Sequence, residues 1–238
     1  MQSPQHQEAI AAAGAVQLLL AQVVNSTSQL QGHAALALGK LALHNPATQQ
    51  AVAAGGAVPS MVLLLAHSGS QEVRGCAALA LASLAWHNAA ASAAIATAGG
   101  ITHLNSLLSS ATSPEVIGHA AQALGNLAAT EGPAVVAAGA VHCLVQLLAG
   151  GGSCSSIAAR QKAAQALSRL AASEDASIQT AIIAAGGLWL SNLARRDTHC
   201  AAQSSTCASL LYCSMTGIAS SWKRGLPATC WSCIKSLP

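Results

Sequence analysis

The sequence predicts an all-α solenoid of about five stacked units, each built from three helices. Three observations carry that expectation. The 238 residues are rich in Ala and Leu, only 7% charged, and almost empty of aromatics, with no Phe and one Tyr; such a chain favours helices over strands. One helix phrase is written four times, as "HAALALGKLALHN", "CAALALASLAWHN", "HAAQALGNLAAT" and "KAAQALSRLAAS". Its central leucine, at Leu38, Leu81, Leu124 and Leu167, recurs every 43 residues, and Gly32, Gly75 and Gly118 keep the same interval. Leu210, in the weaker phrase "TCASLLYCSM", continues the beat. A period of roughly 40–47 residues marks helical repeats that bury their apolar faces only by stacking on one another.

The first helix of a unit is short and Ala-rich, as in "NPATQQAVAA" and "NAAASAAIATA". Asn45 is placed to cap it and Pro46 fits its first position. A Gly turn follows, then a second helix with apolar residues three and six or seven positions on. Its versions are "AAGAVQLLLAQ", "AGGAVPSMVLLLAH", "AGGITHLNSLLSS", "AAGAVHCLVQLLAG" and "AAGGLWLSNLAR". The third helix is the longest. Ala34, Leu38 and Leu41 share one stripe on it at i, i+4 and i+7, which predicts the buried face. Gly39 and Gly125 stand mid-helix, where they cost about 1 kcal/mol relative to Ala, and predict close approach of a neighbouring unit.

These signals divide the chain into units at about 5–43, 46–86, 89–129 and 131–172, with a degenerate fifth at 175–215. The fourth has a shortened first helix, "EGPAVVAAG", and an expanded turn, "GGGSCSS". Residues 216–238 match nothing in the repeat and read as an irregular tail containing Cys and Trp. The chain opens on a first-helix phrase, "HQEAIAAAG", with no polar cap before it, which leaves a fragment of a longer array open as an alternative reading.

Several function classes are disfavoured. A formal charge of +3 without Lys/Arg runs, and with so few stacking aromatics, argues against nucleic acid. Gly, Ser, His and Gln interrupt every apolar run, so no membrane span is expected. The start "MQSPQHQEAI" lacks a secretory pattern, and the expected location is intracellular, cytoplasmic first with the nucleus as the alternative. Of the eight Cys, five fall between Cys200 and Cys233 and two, Cys76 and Cys143, sit inside helical patterns; reduced thiols are expected. No phosphate loop, nucleophile elbow, zinc-protease motif or paired-carboxylate site is present. The sequence therefore predicts no enzyme, no cofactor, no metal site and no small-molecule substrate.

The pattern N-P-x-x-x-x-x-V-x-x-G-G-A-V-x-x-M-V-x-L-L, followed by A-L-x-x-L-A, resembles the armadillo repeat. The resemblance covers about Gln5 to Ala172 well and extends more weakly to Met215. It implies a right-handed superhelical solenoid whose third helices line a concave groove for extended peptides. Opposite the buried stripe the four third helices offer His33, Leu36 and Lys40; Cys76, Leu79 and Ser83; His119, Gln122 and Asn126; and Lys162, Gln165 and Arg169. The nuclear-import receptors of this family carry a Trp and, four residues later, an Asn on successive third helices. Here only Asn126 occupies the Asn position. Lys40, Ser83 and Arg169 replace it elsewhere, and Leu36, Leu79, Gln122 and Gln165 stand where Trp would be. A basic ligand is therefore not expected, and Lys40, Lys162 and Arg169 point to an acidic or neutral peptide instead.

Other residues receive plainer readings. Trp86 is expected to pack over the next unit's first helix. His44–Asn45 and His87–Asn88 mark equivalent turns, with Asn capping the helix that follows and His favoured by the helix dipole. Trp189 and Asn192 are three apart in a second-helix slot, and "CWSC" at Cys230–Cys233 lacks the βαβ setting of a redox motif. The sequence thus predicts a non-catalytic scaffold binding a peptide or protein partner. The alternative is a fragment of a larger armadillo protein, such as a ubiquitin ligase or nuclear-import adaptor, with the array as its recognition part. A vacuolar, membrane-anchored type would need an acylated Gly that "MQSP" does not supply.

Overall fold

In the computed structural model the described residues are 4–148, 156–172, 175, 177–182, 184 and 185. The chain divides into two units, Met1–Arg196 and Asp197–Pro238, and every described residue belongs to the first. Most of the degenerate fifth repeat, the expected tail, Trp189, Asn192 and Cys230–Cys233 lie outside the described residues.

The first repeat is α1 (Pro4–Ala12), α2 (Ala15–Asn25) and α3 (Ser28–Ala42). The second is α4 (Pro46–Ala54), α5 (Ala57–His67) and α6 (Gln71–Ala85). The third begins with α7 (Ala89–Thr97) and α8 (Gly100–Ser110) and runs on into α9 (Pro114–Ala137). After α9 come α10 (Ala140–Leu148) and α11 (Ile157–Ala171). Two signals set the turns of the first two repeats. Between first and second helices the chain passes through the left-handed region, for example at Gly56 with φ 87°, a conformation that costs glycine nothing. Between repeats His44 and His87 take it up instead, at φ 59° and 52°, and the next residue caps the next helix. Asn45 Oδ1 accepts from the amides of Ala47 and Thr48 at 3.1 and 3.3 Å, and Asn88 Oδ1 from Ala91 at 3.0 Å.

The third repeat ends differently. In place of His-Asn the sequence reads Thr130-Glu131-Gly132-Pro133, and the third helix meets the next repeat's first helix at a kink with no loop between them. Only Glu131, at φ −115° and ψ 30°, leaves helical geometry. Pro133 disfavours helix in the residue before it and removes one amide donor, so the chain bends rather than turning through a loop. The vacated space at Gly132 is filled by Ile178, whose side chain is buried; a Cβ on Gly132 would lie 2.6 Å from its Cδ1.

Stacking is carried by the third helices, with α3 on α6, α6 on α9 and α9 on α11 making the most extensive contacts. Leu38, Leu81, Leu124 and Leu167 are 1, 0, 0 and 2% exposed and form the centre of the continuous core. The register is uniform. Gly32 faces Val73, Gly75 faces Val116, Gly118 faces Ala159, Gly39 faces Ala80 and Gly125 faces Ala166. At Gly39 and Gly125 the approach is closest: an added Cβ would lie 2.8 Å from the Ala80 Cα and 2.9 Å from the Ala166 Cα. The expectation of close packing at these two glycines holds.

First helices add a second tie. Gln7 Nε2 donates to the carbonyls of Lys40 and Leu43 at 3.0 and 3.2 Å, and Gln49 Nε2 does the same to Ser83 and Trp86 at 2.9 and 3.0 Å. The last carbonyls of a helix have no partner within it. Here a buried glutamine from the preceding first helix supplies one.

Candidate functional site: a cleft across three third helices

Side by side, α6, α9 and α11 leave a cleft of about 440 Å³ on the face opposite the shared core. Of the candidates read from sequence, Ser83, Gln122, Asn126, Lys162, Gln165 and Arg169 come together to line it. His33, Leu36, Lys40, Leu79 and His119 do not line it. His33 and Lys40 are exposed on α3, and Leu36, Leu79 and Cys76 are half-buried. Nδ1 of His33 lies 2.8 Å from the Gln29 carbonyl of its own helix.

The floor is fixed by internal bonds. Ser83 and Asn126 are each 5% exposed. Ser83 Oγ donates to the Leu79 carbonyl at 3.1 Å. Asn126 Nδ2 donates to the Ala82 carbonyl at 2.6 Å, and its Oδ1 accepts from Nη1 of Arg169. The Asn126 amide, a groove candidate, is thus engaged between α6 and α11, and it acts in this conformation as a strut.

One wall is aromatic. Trp86, at the C-terminal end of α6, sets its ring edge-on to His44, with centroids 5.4 Å apart, and to His87, at 4.7 Å. Arg169 lies over the same ring with Cζ 4.7 Å from its centre, a cation–π arrangement. Trp86 lines the cleft together with Leu43, His44 and Ser168, three residues that the sequence reading did not single out for the groove. The missed signal is the 43-residue equivalence of Leu43 and Trp86 at the helix end, which places both beside the groove.

Electrostatics in and beside the cleft are one-sided. Lys162, Arg169 and His44 line it, and no Asp or Glu does among the described residues. Burial lowers the Arg169 guanidinium from its ordinary value, though arginine stays a cation in proteins. His119, beside the cleft, is pushed down chiefly by burial; the Gly75 backbone and Glu115 act in the opposite direction and Lys162 in the same one. Its Nδ1 is buried without a hydrogen-bond partner. Burial raises the Cys76 thiol, with Glu72 adding to the effect, and burial alone raises Cys143. Neither environment favours a reactive thiolate.

The comparisons with known proteins agree with the fold. An engineered protein solved by crystallography is 32% identical, covers 91% of this chain and 85% of its own, and superposes with a TM-score of 0.77. A designed armadillo repeat protein in complex with the peptide (KR)4 is 25% identical over 89% of this chain and 86% of its own, at 0.76. A computationally designed armadillo repeat protein for modular peptide recognition is 27% identical over 77% and 76%, at 0.64. The chain has the armadillo-repeat fold. The right-handed superhelical solenoid expected from the sequence is therefore its fold class. A family model described as the SIL1/FES1/HPBP1 C-terminal domain matches residues 7–117. No curated protein matches the sequence. Within the armadillo frame the aromatic and amide groups of the groove are present, but they come from a helix end, Trp86, and from a neighbouring repeat, Asn126. Among the described residues no group of three or more His, Cys, Asp or Glu is placed to hold a metal ion, and no single helix is long and apolar enough to cross a membrane.

Proposed function

We propose that the chain is a non-catalytic interaction scaffold, holding an extended peptide or partner-protein segment along its third helices. The single observation behind this reading is the cleft itself. It spans three consecutive third helices and is lined by Gln122, Gln165, Lys162 and Ser168, side chains that can meet a peptide backbone. The designed relatives support it, since two are described by the peptides they bind or recognise. Recognition is the whole activity in this reading, and no catalytic step is assigned. The unpaired thiols of Cys76 and Cys143 are in keeping with a reducing, intracellular place of work.

The test is a peptide array probed with the full chain and with Gln165→Trp, which fills the cleft from an exposed helix position. The variant is expected to keep its circular-dichroism spectrum and melting temperature and to lose the bound peptides. A folded variant that still binds the same peptides would remove the cleft from the function.

A further inference from the structure

We propose that the cleft takes a carboxylate side chain from an extended acidic segment of a partner protein, and that Arg169 sets this preference. The inference rests on the groove reading above and adds the chemistry of its occupant.

Arg169 reaches from the fourth repeat across the third to the second. Its guanidinium lies over Trp86, and Nη1 donates to Asn126 Oδ1. An aromatic face and an amide oxygen are the two groups that would serve a basic side chain entering this cleft, one by cation–π attraction and the other as acceptor. The protein's own cation already occupies both. An incoming Lys or Arg would have to displace it against like-charge repulsion.

The same contacts prepare the site for the opposite charge. A guanidinium carries five N–H donors in a rigid fork, and the bond to Asn126 leaves the others able to engage a carboxylate in paired hydrogen bonds. Asn126 is itself held by the Ala82 carbonyl, so Arg169 is positioned before a ligand arrives and less ordering is needed on binding. Lys162 stands two turns earlier on α11 and lines the same cleft. With no acidic side chain among the described lining residues, these groups present a potential of one sign. Gln122 and Gln165 flank them as neutral partners for the backbone of the bound segment.

Binding of the full chain is measured by fluorescence anisotropy with three labelled octapeptides: alternating Asp-Glu, alternating Lys-Arg, and alternating Asn-Gln. The Asp-Glu peptide is expected to bind at least about tenfold tighter than either other peptide, and to weaken as salt rises. Arg169→Gln is expected to lower that affinity by about tenfold or more. Lys162→Gln, which leaves the Asn126 bonds untouched, is expected to lower it as well and carries the test should Arg169→Gln lose its fold. Lys-Arg or Asn-Gln binding as tight as Asp-Glu binding overturns the carboxylate inference while the groove reading stands. An Asp-Glu affinity unchanged in Lys162→Gln and in folded Arg169→Gln overturns the assignment of these residues. If no octapeptide binds, or if Gln165→Trp leaves their binding intact, the groove reading falls and this inference with it.

Discussion

The side-chain amide of Gln49 donates to the carbonyl of Ser83 at 2.9 Å, so that the first helix of a repeat finishes the third helix of the same repeat. Gln49 is 2% exposed and bonds the Trp86 carbonyl as well. Replacing it with Leu leaves two carbonyls at the end of α6 without this donor. A loss of about 1–3 kcal/mol is expected, read as a lower urea midpoint with an unchanged slope. A variant as stable as the parent would show that water replaces the amide at no cost.

Two glycines on α9 are expected to respond in opposite directions to the same substitution. A Cβ at Gly118 would meet only the Ala159 Cα, at 3.8 Å, whereas one at Gly125 would press on the Ala166 backbone at 2.9 Å. Gly118→Ala should therefore gain stability, by up to about 1 kcal/mol from helix propensity. Gly125→Ala should lose about 1–3 kcal/mol as α9 and α11 are forced apart. Thermal or urea unfolding of the pair decides it, and equal shifts would contradict the packing described.

Leu81 tests the shared core. It is fully buried between the α3 and α9 layers, and Leu81→Ala should cost roughly 2–5 kcal/mol, with the spread set by how far neighbours close the cavity. Denaturant titration measures this directly, and a cost below about 1 kcal/mol would be out of line with a buried central leucine.

His119 gives the protein a pH dependence. Burial holds its folded pKa below the ordinary value of 6.5. Below that pH the unfolded chain takes up protons on this ring more readily than the folded protein does. Stability is thus complete above the ordinary imidazole range and falls as pH drops through it. His119→Gln is expected to flatten the decline between pH 7.5 and about 5, compared by urea midpoints at each pH. Identical declines in the two proteins would assign the effect to other groups.

What the sequence made legible was whatever repeats in one dimension. Leu38, Leu81, Leu124 and Leu167 could be placed because burial demands the same residue type in every layer. Asn45 and Pro46 could be placed because caps act within a few residues. The cleft was legible only in outline. Arg169 and Trp86 meet across an intervening repeat, and Asn126 chooses between a ligand and the Ala82 carbonyl according to rotamer and helix spacing. Pairings of that kind leave no local pattern. The kink within α9 was half visible: the shortened "EGPAVVAAG" signalled a change, while the loop-free junction at Glu131 depends on the absence of the His-Asn turn.

The contacts of Gly39 with Ala80 and of Gly125 with Ala166 also act as a ruler. Bare backbone at these points draws the axes toward the short end of the roughly 8–10 Å spacing usual for packed helices. An extended chain advances about 3.3 Å per residue, so each step along the array corresponds to two or three ligand residues. Four such helices measure out a stretch of roughly seven to nine. Under the proposed groove reading, widening one step would throw every later side chain of a bound segment out of phase with the helix beside it.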